Sequence, residues 1–125
     1  MSPAKPVLVI EDDPLIGQVI EAALEEAGFS VIWHELGRDG LDAAAALQPS
    51  VVLLDLMLPD LDGQEVLREL KLGPATSDIP VIVVSAVSAT LTVEERQMIR
   101  AVVPKPFAID VLVVAVRDAG TWAAG

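Results

Sequence analysis

Residues 6–14 read PVLVIEDDP, an almost unbroken apolar run of strand length that stops at three consecutive acids and a proline. A strand with one wet face alternates apolar and polar residues, so a continuous run predicts a strand covered on both faces, as in a parallel sheet flanked by helices. Asp13 before Pro14 predicts a helix N-cap with proline at the first helical position. From there Leu15, Ile16, Val19, Ile20, Ala23, Leu24 and Ala27 keep a 3.6-residue apolar stripe up to Gly28.

The rest of the chain repeats this alternation, which is the mark of βαβ units around a parallel sheet. A second strand is expected at 30–33 and a short Ala-rich helix at 38–47, broken by Pro49. VVLL at 51–54 predicts a third buried strand, followed by a loop over 56–62, a helix over 64–72 and turns over 73–78. VIVV at 81–84 is a fourth strand. Thr92 with Glu95 three residues on forms a capping box that predicts a helix over 93–100. A weak fifth strand at 101–103 and a last helix at 109–119 complete an α/β fold: a doubly wound, five-stranded parallel sheet with five helices.

Length and charge limit what such a fold does. At 125 residues the chain builds one core and not two, so residues 1–125 are expected to form one domain with no output domain. Eight Lys and Arg against 19 Asp and Glu give a net charge of −11, a field that repels phosphate backbones and anionic membranes. No direct nucleic-acid partner and no membrane insertion are expected. There is no cysteine, which removes disulfides, thiolate metal sites and Cys nucleophiles. Residues 1–6 lack a signal-peptide apolar region, so a cytoplasmic location is expected.

A parallel sheet places all strand C-termini along one edge, where open α/β sheets bind ligands. On that edge the first strand ends in Glu11, Asp12 and Asp13, the third in Asp55 and the fourth in Ser85, while Lys105 closely follows the fifth. Two carboxylates about 4 Å apart repel by roughly 4 kcal/mol at an effective dielectric near 20. Proton uptake, an ammonium such as Lys105 or a divalent cation would each relieve such a cluster. Carboxylate oxygens without His or Cys favour Mg²⁺, with Lys105 assisting. Asp55, at the tip of a rigid apolar strand and followed by a loop, is placed as a nucleophile that would form an acyl phosphate. Lys105 would supply fixed positive charge and Ser85 a hydrogen bond, with Ala86 leaving room for the phosphoryl group.

Four segments, LVIEDDPLI, VVLLDLMLPDLDG, IPVIVVSA and KPF, together resemble the receiver domain of two-component response regulators over essentially the whole chain. The resemblance implies a flavodoxin-like sheet of order 2-1-3-4-5. It implies that Asp55 accepts a phosphoryl group from a histidine kinase or phosphotransfer protein, in a stand-alone switch acting on a downstream protein target rather than an enzyme with an external substrate. It further implies that Asp12 binds Mg²⁺ directly, that Glu11 holds the metal's waters, and that the Met57 backbone carbonyl is a further ligand beside Asp55. Ser85 and Lys105 match the family's hydroxyl and lysine, and the Lys105–Pro106 bond matches one that is usually cis.

This chain also departs from the family pattern. The position three before the lysine, commonly Tyr or Phe, is Val102, so a smaller rearrangement centred on the Ser85 loop is expected. Residues 98–107, MIRAVVPKPF, lack the customary Gly-Ala turn, and the Ser85 to Lys105 interval is about two residues short. Met57 and Val87 stand where relatives align the attacking water, which implies slow loss of phosphate. An Asp-nucleophile phosphohydrolase would need a second acid/base carboxylate that Leu56 and Met57 do not supply. An unphosphorylated receiver-like module usually loses the acidic pair, the Asp or the Lys, and all are present here.

The remaining polar and aromatic residues read more plainly. Asp60 and Asp62 in LPDLDG read as turn chemistry, His34 as a surface or strand-edge residue, and Trp33 and Trp122 as packing residues. The last helix is apolar around most of its circumference through Ile109, Val111, Leu112, Val113, Val114, Ala115 and Val116. That excess is met either by a tight fit under neighbouring elements or, the reading preferred here, by a contact face for a partner or for a homodimer.

Overall fold

A computed structural model describes residues 5–124, with side chains through residue 120. The strands are β1 (Val7–Ile10), β2 (Val31–His34), β3 (Val51–Leu54), β4 (Val81–Ser85) and β5 (Ala101–Pro104). The helices are α1 (Pro14–Glu26), α2 (Gly37–Leu47), α3 (Gly63–Leu72), α4 (Val93–Gln97) and α5 (Ile109–Ala124). All strands pair in parallel in the order β2-β1-β3-β4-β5, the sheet expected from the sequence.

Side chains alternate faces along a strand, so each apolar run feeds two cores. Leu8, Ile10, Val52, Leu54, Val81 and Val83 point to the face covered by Ala44 of α2 and by Val66, Leu67 and Leu70 of α3. Val7, Val9, Val51, Leu53, Ile82 and Val84 point to the other, under Ile20 and Leu24 of α1 and Leu112, Val116 and Ala119 of α5. This double burial explains why the central strands read as continuous rather than alternating.

Helix ends agree with the sequence where the signal is local. Asp13 caps α1 by accepting from the amides of Leu15 and Ile16. The Thr92–Glu95 box opens α4 with both of its reciprocal bonds. The end of α4 differs: the helix stops at Gln97 rather than reaching 100. Met98 and Ile99 turn into the core, and the Arg100 amide donates to the Val81 carbonyl at 2.7 Å, so those residues have already joined the descent into β5.

Asp60 and Asp62 do more than shape a turn. Asp62 caps α3 through the Gln64 amide. Asp60 reaches across the fold to α2, whose own N-cap, Leu36, offers no side-chain acceptor. Its two carboxylate oxygens take the amides of Gly37 at 2.7 Å and Arg38 at 2.9 Å. Those hydrogen bonds, the Arg38 amide's first, hold the Asp60 carboxyl below the usual aspartate range. Replacing Asp60 by Ala is expected to lower stability by about 1 kcal/mol, the ordinary worth of a helix cap. The loss should be present at neutral pH and vanish in acid, because a depressed carboxyl stabilises only above its folded pKa. Urea denaturation of the two proteins at both pH values measures it.

Candidate functional site

The parallel register sets the site. Ile10 pairs with Leu54, so the next residues, Glu11 and Asp55, leave the adjacent strands β1 and β3 side by side. The Asp55 amide donates to the Ile10 carbonyl at 3.0 Å, which extends the ladder one step into the site. Both carboxylates are nearly sealed from solvent, Glu11 at 2% and Asp55 at 5% exposure, whereas Asp12 is exposed. Glu11, Asp12 and Asp55 each offer an oxygen within 4.8 Å of the others'.

Lys105 reaches this cluster from beyond β5. Its Nζ donates to Asp55 Oδ2 at 2.9 Å and forms an ion pair with Glu11 Oε1 at 2.6 Å. The strand it crosses, β4, ends in Ser85, fully buried, whose carbonyl accepts from the Lys105 amide at 3.3 Å. Ser85 Oγ accepts from the Val87 amide at 3.2 Å, which leaves the hydroxyl hydrogen able to donate elsewhere. The Lys105–Pro106 bond is cis, as the resemblance implied.

The loop after β3 folds back on Asp55. Asp55 Oδ1 accepts from the Met57 amide at 3.1 Å, and the Gly63 amide donates to the Leu56 carbonyl at 3.0 Å. A Cβ at Gly63 would overlap the Leu56 backbone and the Asp55 carbonyl oxygen, so only glycine lets α3 start this close to the carboxylate. The Met57 side chain is exposed, and Val87 is half-buried.

The structure thus brings together Glu11, Asp12, Asp55 and Lys105, places Ser85 on the adjoining strand end, and turns the backbone of Met57 toward Asp55. Asp13 belongs to the helix cap, although its amide also donates to Glu11 Oε2 at 3.1 Å. His34 lies at the end of the edge strand β2, where its carbonyl accepts from the Glu11 amide. Trp33 packs as expected but also donates its indole N–H to the Glu11 carbonyl at 2.8 Å, a contact that no local sequence signal announces. The reading of Trp122 falls on a side chain outside the described residues.

Burial is the largest influence on the Glu11 carboxyl and pushes it up to about 7. The Asp55 charge acts in the same direction, while Lys105 and the Asp13 amide act against it. Burial also works against the Lys105 ammonium, but its bonds to Glu11 and Asp55 outweigh that and raise its pKa. One ammonium therefore does not fully satisfy two buried carboxylates. Glu11 Oε1 is sealed from solvent and has Lys105 as its one close partner, at 2.6 Å, so the oxygen keeps a lone pair for a further positive group. A donor set made only of carboxylate and carbonyl oxygens suits a hard dication, and the residues present fit Mg²⁺.

Residues 7–117 match the family model of the response regulator receiver domain, and the chain belongs to that family. It is 41% identical over 115 residues to the uncharacterized transcriptional regulatory protein YkoG of Bacillus subtilis, an alignment spanning 90% of this chain and 50% of that protein. It is also 41% identical over 80 residues to the DNA-binding dual master transcriptional regulator RpaA of Synechocystis sp., across 64% of this chain and 33% of that one. The chain spans at most half the length of these relatives. Among solved structures, the Francisella response regulator 1452 receiver domain superposes with a TM-score of 0.84 at 30% identity, over 94% of this chain and 98% of that one. These matches make the chain a receiver domain of two-component signalling, the class of domain that is phosphorylated and works with histidine kinases and downstream effectors. No helix among the described residues is long and apolar enough to cross a membrane.

The raised Glu11 carboxyl has a consequence for stability. An unfolded glutamate ionises near 4.5, so between that value and about 7 the folded state binds more protons. Stability therefore falls as pH rises through this window, and the loss is complete above it. In metal-free buffer, denaturation at about pH 5.5 and about pH 8 is expected to show the unmodified chain losing more stability over the interval than Glu11→Gln does. Equal losses would mean that Glu11 is ionised throughout.

Proposed function

We propose that Asp55 is the phosphoacceptor of this receiver and that it takes a phosphoryl group from a histidine kinase or phosphotransfer protein in a Mg²⁺-dependent reaction. The observation that carries the reading is the hold on the Asp55 carboxylate. One oxygen is fixed by the Met57 amide and the other by Lys105, inside a cluster with Glu11 and Asp12. In the transfer, an Asp55 oxygen forms a bond to phosphorus as the donor's nitrogen–phosphorus bond breaks, and the donor imidazole retains the leaving electron pair. Asp12, Asp55 and the Met57 carbonyl would hold the metal, with Glu11 orienting its waters. When bound, Mg²⁺ supplies positive charge against the phosphoryl oxygens.

The protein's own groups do the rest. Lys105, already between the two buried carboxylates, keeps a full charge beside the acceptor and needs no reorganisation to meet the incoming anion. Ser85 can donate its hydroxyl hydrogen to a phosphoryl oxygen while still accepting from Val87, so capture of the phosphoryl group draws on the loop after β4. The output is a change in protein contacts with a downstream target rather than turnover of an external substrate, in a cytoplasmic setting. The exposed side chains of Ile109, Val111 and Val114 on α5 offer an apolar surface for such a contact or for a homodimer.

Incubation with acetyl phosphate and Mg²⁺ is expected to add one phosphoryl group by intact mass, with none on Asp55→Asn and none in EDTA. Addition to the Asn variant would move the acceptor elsewhere. The lifetime of the product follows from Met57 and Val87, neither of which offers an attacking water a side-chain donor or a strong acceptor. Phosphate is expected to persist for minutes or longer at neutral pH after the donor is removed, and loss within seconds would contradict this assignment.

A further inference from the structure

β1 ends at Ile10, so the peptide unit joining Glu11 to Asp12 lies beyond the strand. A peptide is planar, so fixing its oxygen restricts the orientation of the whole unit and with it the positions of both flanking Cα atoms, which leaves their side chains only the rotations about φ, ψ and χ. Here that oxygen is held. The Glu11 carbonyl accepts from the Trp33 indole at 2.8 Å, while the Glu11 amide donates to the His34 carbonyl at 3.0 Å. Neighbouring residues of the edge strand β2 thus grip Glu11 from both sides, one through backbone and one through a side chain. The exposed Asp12 thus extends from a Cα whose preceding peptide is held.

The ring that makes this bond has a prepared seat. Gly17 lies buried inside α1, where glycine is normally unfavourable by about 1 kcal/mol relative to alanine. A Cβ at Gly17 would overlap the Trp33 atoms Cε2, Cζ2 and Cη2, so the indole lies directly against the helix backbone. The helix accepts its least favourable ordinary residue at the spot where the ring must pass to reach the Glu11 carbonyl. Packing alone is satisfied by many apolar pairs, whereas this pair also delivers a directed N–H to the acidic turn.

We infer that Trp33, seated on Gly17, is a positioning residue for the metal-binding acidic pair: its indole N–H orients the Glu11–Asp12 peptide so that Asp12 faces Asp55. The inference rests on the reading of this cluster as a Mg²⁺ site. Trp33 touches neither metal nor phosphoryl group and acts only through the peptide it holds. An indole bonded to that peptide also makes Trp33 a built-in optical reporter of the site.

Calorimetric titration of the unmodified chain with Mg²⁺ comes first; absence of uptake would overturn the reading of the site and the inference with it. With uptake established, Trp33→Phe, which keeps a ring but loses the N–H, is expected to weaken Mg²⁺ binding at least fivefold. Gly17→Ala should weaken it similarly, and combining the two should add little. Because either variant could unfold the domain, the folded protein supplies an independent readout. In Trp122→Phe, where Trp33 is the one remaining indole, Mg²⁺ is expected to shift the emission with the calorimetric midpoint. The same titration in Asp12→Asn should leave the emission unchanged. Unaltered Mg²⁺ affinity in a folded Trp33→Phe, or emission indifferent to bound Mg²⁺, would overturn the positioning role.

Discussion

The molecule is organised around two buried carboxylates that share one ammonium. Glu11 and Asp55 end adjacent strands in register, and Lys105 reaches both from the far side of β4. Three features of the sheet must coincide for that to happen. β1 and β3 must pair without slippage, because a one-residue shift would send one carboxylate to the opposite face. The end of β4 must be small, and Ser85 followed by Ala86 leaves a gap that a four-carbon stem can cross. β5 must lie next to β4, since Lys105 follows it directly. The 2-1-3-4-5 order meets all three conditions at a single edge.

Such an arrangement opposes folding locally. Two anions and one cation leave net negative charge in a region with almost no solvent, and the upward push on Glu11 is the direct sign of that imbalance. The surrounding structure offsets it with two well-separated apolar layers built from the same strands, each strand residue facing one or the other. The site is accordingly one where added positive charge relieves the conflict. A hydrophobic replacement of these acids would remove that conflict and the carboxylate cluster together.

Local patterns in the chain were enough to place the strands, the caps at Asp13 and Thr92 and the row of polar residues along the carboxyl edge, because each depends on neighbours within four residues. What escaped the sequence is nonlocal. Asp60 caps a helix that begins 23 residues earlier in the chain, and nothing in LPDLDG distinguishes it from an ordinary turn. The Glu95 carboxylate looks like half of a capping box, yet it also takes a hydrogen bond from Gln64 at 2.9 Å and an ion pair with Arg68 at 2.7 Å. Trp33 reads only as a packing residue, and Gly17, sixteen positions earlier, carries no local signal at all. Only the fold shows each as the reason for the other.

The same nonlocal bonds limit how a change at Asp55 is passed on. Val102, beside Val83 in the sheet, is a branched side chain packed on the α2–α3 layer, with no ring to swing between two positions. The loop between Ser85 and α4 remains, and it is tethered at both ends. Val87 hangs on Ser85 Oγ, and Thr90 is tied through its carbonyl to Gln64 on α3. Gln64 in turn shares its amide with Glu95, which anchors the five-residue α4. A displacement of the Ser85 hydroxyl must therefore either break the Val87 bond or carry that loop with it. A carried loop loads the Gln64–Glu95 contact, because no slack segment separates the two. Ser85 and the start of α4 are thereby joined by a short hydrogen-bonded path through Val87, Thr90, Gln64 and Glu95.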